Sequence, residues 1–311
     1  MKRISAAVAT VLCVWSASPS FAQAPAPANP LWHEQKVKNY LPHMTSPEVA
    51  DLLTRTDMVI LPVASLEQHG LHGPIGTDFL SGLERAKLIA QQTDVLVAPI
   101  LFPGNSPYHM AFPGTITLPA ETIQLVFFQA AQSLLAHGFK RFLILNSHGG
   151  NASISQYVVD RINQETGGIA VELDDAAQPF RTRAIRQGAP GFDRHGGVSE
   201  TSRSLYLTPN LVNMSVARTA PLTLLPHLEK MLPEVVTGDP TATRVFLAEA
   251  LKATSTGKGT STKDMTATGV WSALDVTTAT AERGRDETEA SVNAAVAFIE
   301  RWKQLRPNGI K

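Results

Sequence analysis

Four short apolar runs, at 58–64, 95–100, 141–146 and 169–173, alternate with longer segments of helical spacing at 79–92, 120–137 and 154–164. A strand that is apolar at every position is buried on both faces, and strands alternating with helices pair in parallel. The pattern predicts an α/β fold, a three-layer α/β/α sandwich with a mostly parallel central sheet. A further helix is expected over 287–305, where Ala294, Ala295, Phe298, Ile299 and Trp302 are spaced to cover the sheet. In such folds, sites gather at the carboxyl ends of the strands. The polar residues obey that rule: Glu67, Gln68 and His69 follow the first run, Asn105 to His109 the second, and Ser147-His148-Gly149-Gly150-Asn151 the third.

The N-terminus supplies a different constraint. Lys2 and Arg3 precede an apolar run ending at Trp15, and small residues close at Ser20-Phe21-Ala22. This is the pattern of a secretory signal peptide over 1–22, and it predicts a secreted, periplasmic protein. A Pro/Ala linker follows at 23–31, and 32–311 is expected to form one domain. Cys13 is the only cysteine, so cleavage leaves a chain without thiols, and any metal must be held by His, Asp and Glu. Without residues 1–22 the chain has 25 basic and 27 acidic side chains, which argues against nucleic acid or an anionic membrane as partner. No stretch reaches the roughly 18 apolar residues of a spanning helix. The low-complexity stretch 254–262, TSTGKGTST, reads as a mobile surface loop.

Three segments carry the chemistry. In LPVASLEQHGLHGPIGTD, a buried strand runs into Glu67 and His69, which point the same way on extended chain, and nine residues later into Asp78. Taken alone, Asp78 reads as a helix N-cap. LILNSHGGN turns tightly past His148; it lacks the lysine of a phosphate-binding P-loop and is not the G-x-S-x-G elbow, although Ser147 as nucleophile stays open. DRHGGVSETSRSLYL holds His195 and Glu200, the latter also readable as a favourable charge at a helix start. Glu67, His69, Asp78, His148 and Glu200 together form an oxygen and imidazole set suited to zinc or manganese. Five ligands exceed the needs of one open catalytic ion and match two divalent ions sharing a carboxylate, with a bridging hydroxide as nucleophile.

These motifs, with HMAFPGTITL at 109–118 and HGGVSETS at 195–202, resemble the creatininase (creatinine amidohydrolase) family over residues 45–209. The resemblance implies the α/β/α sandwich, a two-metal centre and hydrolysis of amide C–N bonds, often in cyclic or unusual amides. It also implies a homo-oligomer, commonly a hexamer, and a small-molecule amide as partner. Glu67, His69, Asp78 and His148 become ligands by that resemblance, with Asp78 as the bridge. Creatininase carries a ligand Glu where this chain has Gly150, so Glu200 must supply the missing carboxylate. It also sets tryptophans around its substrate, and none lies between Trp32 and Trp271 here, which points away from creatinine. His195, with an ordinary pKa near 6.5, is the expected proton donor to the leaving nitrogen, with Glu67 or Glu200 as relays. His72 and Asn146 are expected to orient ligands, and His109 to face the substrate, orient a ligand, or only steady its own turn. Two other readings stay open: a metal- or sugar-binding protein without catalysis, and a hydrolase or lyase of sugar-like compounds.

Overall fold

The computed structural model describes residues 36–101, 103–181, 192–250 and 261–307. The expectations for 1–22 and 23–31 lie outside these residues, as does most of 254–262. Helix α1 (Ser46–Leu53), which the apolar pattern does not announce, starts where Thr45 and Glu48 bond reciprocally and a proline fills the first turn. Then come β1 (Met58–Val63), α2 (Thr77–Gln92), β2 (Leu96–Val97), α3 (Ala120–His137), β3 (Arg141–Asn146), α4 (Ala152–Glu165), β4 (Ile169–Glu172) and the single turn α5 (Leu173–Ala176).

The sheet order is β2-β1-β3-β4, and every neighbouring pair is parallel. Every residue of β1 is buried, because successive side chains enter different layers. Val59, Leu61 and Val63 pack with Phe142 and Ile144 against Phe127 of α3 and Val158 of α4. Met58 and Ile60 pack with Leu143 and Leu145 against Ala86 and Ile89 of α2 and Ala295 and Ile299 of the long helix Ala281–Leu305. Helices therefore cover both faces, as the alternation predicts.

Connectivity fixes where a crevice must open. The chain leaves β1 through α2 on one face to reach β2, and leaves β3 through α4 on the other face to reach β4. β1 and β3 are neighbours in register, Val63 opposite Asn146, so their outgoing connections diverge at the carboxyl ends.

Beyond the sheet, the structure departs from the sequence expectations in several places. β2 is two residues long, because the chain after Val97 leaves the ladder. An antiparallel pair, β5 (Asp193–His195) with β6 (Trp271–Ser272), joins segments far apart in sequence. The helices Pro226–Thr237 and Pro240–Ala250 close a separate apolar cluster in which Phe192 meets Phe246 and Trp271 edge-on, at ring distances of 5.4 and 5.3 Å. That cluster anchors β5. Ser261 and Thr262, the described end of the expected surface loop, are buried, and Ser261 caps a short helix by accepting the Asp264 N–H. No helix among the described residues is long and apolar enough to cross a membrane.

The long helix begins at Ala281 rather than 287 because its first turns pack by close approach, which leaves no apolar stripe to read. A Cβ on Gly284 would fall inside the carbonyl of Ser202, on the helix Val198–Leu207. Gly284→Ala must part the two helices. Overpacking of this kind costs about 1–3 kcal/mol, so the variant should show a lower denaturation midpoint, read by circular dichroism; an unchanged midpoint would contradict the packing.

Candidate metal centre

Five chain segments converge on the crevice. After β1 the backbone stays extended, held by an antiparallel bridge from Leu66 to Ile116 and by the Glu67 N–H donating to the Ile75 carbonyl at 2.9 Å. Extended geometry sends Glu67 and His69 to one side, both buried. Asp78 lies inside the first turn of α2, whose N-cap is Gly76, so it does not cap that helix as an isolated Asp would; instead its Oδ2 accepts the Ser65 hydroxyl at 3.1 Å. His148 follows β3, its N–H held by Asn146 Oδ1 at 3.0 Å. His195 ends β5. Glu200 is in the first turn of Val198–Leu207, but Asp193 does the capping there, accepting the N–H groups of Val198 and Ser199 at 3.0 and 2.9 Å.

The resulting cluster is dense. His148 Nδ1 lies 3.3 Å from Glu67 Oε1 and 3.1 Å from Asp78 Oδ2. His69 Nε2 lies 3.3 Å from Asp78 Oδ1 and 3.5 Å from Glu200 Oε2. His195 Nδ1 lies 3.4 Å from Glu67 Oε1. The donor atoms group as Glu67–Asp78–His148, His69–Asp78–Glu200 and Glu67–His69–His195, each within 4.8 Å. Asp78 thus offers one oxygen to the His148 side and the other to the His69 side. Glu200 completes the second group.

The donor chemistry fits divalent cations. Each histidine has one ring nitrogen at a backbone carbonyl: His69 Nδ1 at Glu67 (3.1 Å), His148 Nε2 at Asn105 (3.0 Å) and His195 Nε2 at Gln68 (2.6 Å). Donating there leaves the other nitrogen as a lone pair aimed at carboxylates, the arrangement found at metal-binding imidazoles. Among the described residues, Glu67 Oε2 and His69 Nε2 are buried with no hydrogen-bond partner. Acceptors facing acceptors in the interior require a cation between them.

Without a metal, protons must do that work. Burial opposes charging of His69, yet Asp78, Glu200 and Glu67 outweigh it and hold its pKa up at about 10. Burial likewise opposes, and Glu67 and Asp78 overcome, protonation of His148, whose pKa lies well above the ordinary value. Burial pushes the Asp78 carboxyl up, but His69 and His148 hold it well down; Glu67 is lowered against burial, first by His148. Burial, with His109 and His69 nearby, keeps the His195 pKa well below the ordinary value.

The remaining expected residues sit behind the cluster. His72 Nε2 meets the Thr201 hydroxyl at 2.7 Å, joining the Glu67–His69 segment to the helix of Glu200; burial and His69 press its pKa down to about 4. His109 stacks on His195 at 3.9 Å, Nε2 3.7 Å from Glu67 Oε1 and Nδ1 2.9 Å from the Thr262 hydroxyl. Asn146 holds the His148 backbone. Ser147 donates to the Asp78 carbonyl at 2.9 Å, which ties its hydroxyl to α2. Gln68, placed by the sequence after the first strand but given no role there, has a side-chain amide that reaches His195 at 3.0 Å, His109 at 3.2 Å and the Gly269 carbonyl at 3.2 Å. The sequence reading missed Ser65, although its two-residue spacing from Glu67 was available as a signal.

A family model described as creatinine amidohydrolase matches residues 42–299. The chain belongs to the creatininase family. It is 27% identical over 259 residues to a mycofactocin precursor peptide peptidase of Mycolicibacterium smegmatis, covering 81% of this chain and 88% of that one. It is 29% identical over 187 residues to the creatinine amidohydrolase of Pseudomonas putida, covering 55% and 72%. A solved creatininase of the Zn-Zn type superposes with a TM-score of 0.63 at 24% identity, over 87% of this chain and 99% of that one, and shows the common fold. As a creatininase-family member, the protein is a metal-dependent amidohydrolase.

Metal loading must displace the protons held by His69 and His148. At pH 7, calorimetry in buffers of different ionisation enthalpy should therefore show release of about two protons per chain, with affinity falling as pH is lowered. Heats independent of the buffer would remove these histidines from the ligand set.

Proposed function

We propose that the protein hydrolyses an amide C–N bond with two divalent ions, zinc or manganese, held by Glu67, His69, Asp78, His148, His195 and Glu200. The carrying observation is the three imidazoles, each at a backbone carbonyl through one nitrogen and turned on carboxylates through the other. Bound there, such ions supply an activated water near neutral pH and polarise the amide carbonyl. Asp78 would be the carboxylate shared by the two ions, because its two oxygens face different histidines.

Proton transfer falls to Glu200. Its side chain is 21% accessible, against 1% for Glu67 and 5% for Asp78, and it lines the cleft that opens on the cluster. Glu200 Oε2 accepts the Gly196 N–H at 2.7 Å, which leaves Oε1 to take a proton from the attacking water and hand it to the leaving nitrogen. His195, the other expected donor, has Nε2 at the Gln68 carbonyl and Nδ1 turned toward Glu67, an arrangement that suits holding an ion.

The setting is part of the proposal. The basic, apolar and small-residue order of 1–22 supports export to the periplasm, and family likeness supports a homo-oligomer acting on a small-molecule amide.

Metal analysis of protein purified without chelator should find about two divalent ions per chain, and His148→Ala should lose one or both. Restored zinc or manganese should support turnover in a screen of lactams, cyclic ureas and short peptides. Glu200→Gln should lower kcat by about 10²–10⁴-fold. A wild-type chain that carries no metal and takes none up would overturn the mechanism.

A further inference from the structure

The metal cluster opens on a cleft of about 1180 Å³, reached past Asp78, His148 and Glu200. That exceeds the usual 300–1,000 Å³ of a small-ligand pocket. Among the described residues, its walls carry six arginines, Arg85, Arg181, Arg194, Arg203, Arg244 and Arg283, and no lysine. Beyond the cluster, its acidic lining residues are Asp174, Asp193 and Glu287, and each is already committed. Asp174 is shared by Arg85 and Arg181 at 2.7 and 2.8 Å. Glu287 is shared by Arg283 and Arg203 at 2.7 and 3.4 Å. Asp193 caps its helix.

Arg194 and Arg244, both exposed, have no carboxylate partner among the described residues, and the buried Nε of Arg181 has no acceptor among them. Six fixed positive charges against three negative ones leave an excess that a neutral cyclic amide would not use. Guanidinium groups present paired N–H donors that match carboxylates. Resting on the hydrolase reading above, we infer that the substrate is an extended, peptide-like amide bearing carboxylates, held in this cleft with Arg194 and Arg244 as its anion contacts.

The test is calorimetric binding of N-acetyl-Asp-Glu-amide and of its neutral counterpart N-acetyl-Asn-Gln-amide to zinc-loaded full-length protein and to the Arg194→Ala/Arg244→Ala double variant. Charged hydrogen bonds of this kind should favour the diacid by about tenfold or more, weakening as salt is raised. The double variant should lose most of that preference while keeping its zinc content and melting midpoint. Equal binding of the two compounds overturns the inference, and so does a preference that survives in the double variant. Hydrolysis of neutral amides combined with equal binding sinks the anion cleft alone. Arginine-dependent binding supports the cleft whatever the turnover.

Discussion

Three carboxylates and three imidazole nitrogens face one another at the carboxyl end of a buried sheet, and much of the architecture answers that concentration of charge. Placing Glu67 and Asp78 in the interior costs several kcal/mol per ion unless positive charge is supplied there. Protons on His69 and His148 meet the demand in one way, divalent ions in another. The same fields that raise the His69 pKa to about 10 would hold a cation once those protons leave. Affinity for metal and retention of protons are two expressions of one electrostatic arrangement.

The sheet makes that arrangement possible without strain. β1 and β3 are neighbours whose chains depart toward opposite layers, so Glu67 and His148 emerge side by side. The other members of the cluster arrive on different supports: Asp78 from the first turn of α2, Glu200 from the first turn of Val198–Leu207, His195 from the short ladder with β6. Two carboxylates at helix starts also sit where the peptide dipoles favour negative charge.

What was legible in the sequence follows from how local each signal is. β1 and β3 announce themselves because burial on both faces leaves a nearly continuous apolar run, and α3 spans 120–137 as its spacing predicts. The β5–β6 pair could not be read, since Asp193-Arg194-His195 has no apolar alternation and its partner lies far along the chain. The roles of Gln68 and Thr262 could not be read for the same reason: each is a contact with His109 or His195 that depends on distant segments. Glu200 was legible within the set formed by the three segments, although alone it also reads as a favourable charge at a helix start.

The absence of a carboxylate at Gly150 has a steric side. A Cβ on Gly150 would run into Tyr108, the Asn105 carbonyl and His148 Nε2 together. The loop carrying Asn105 is closed over this point, and its carbonyl is what fixes the orientation of His148. A glutamate at 150 would have to displace the very group that orients the neighbouring histidine. Moving the carboxylate to position 200 lets the 105–108 loop stay closed on one flank of the cluster while Glu200 reaches it from the other. It also sets that carboxylate on the rim of the arginine-lined cleft.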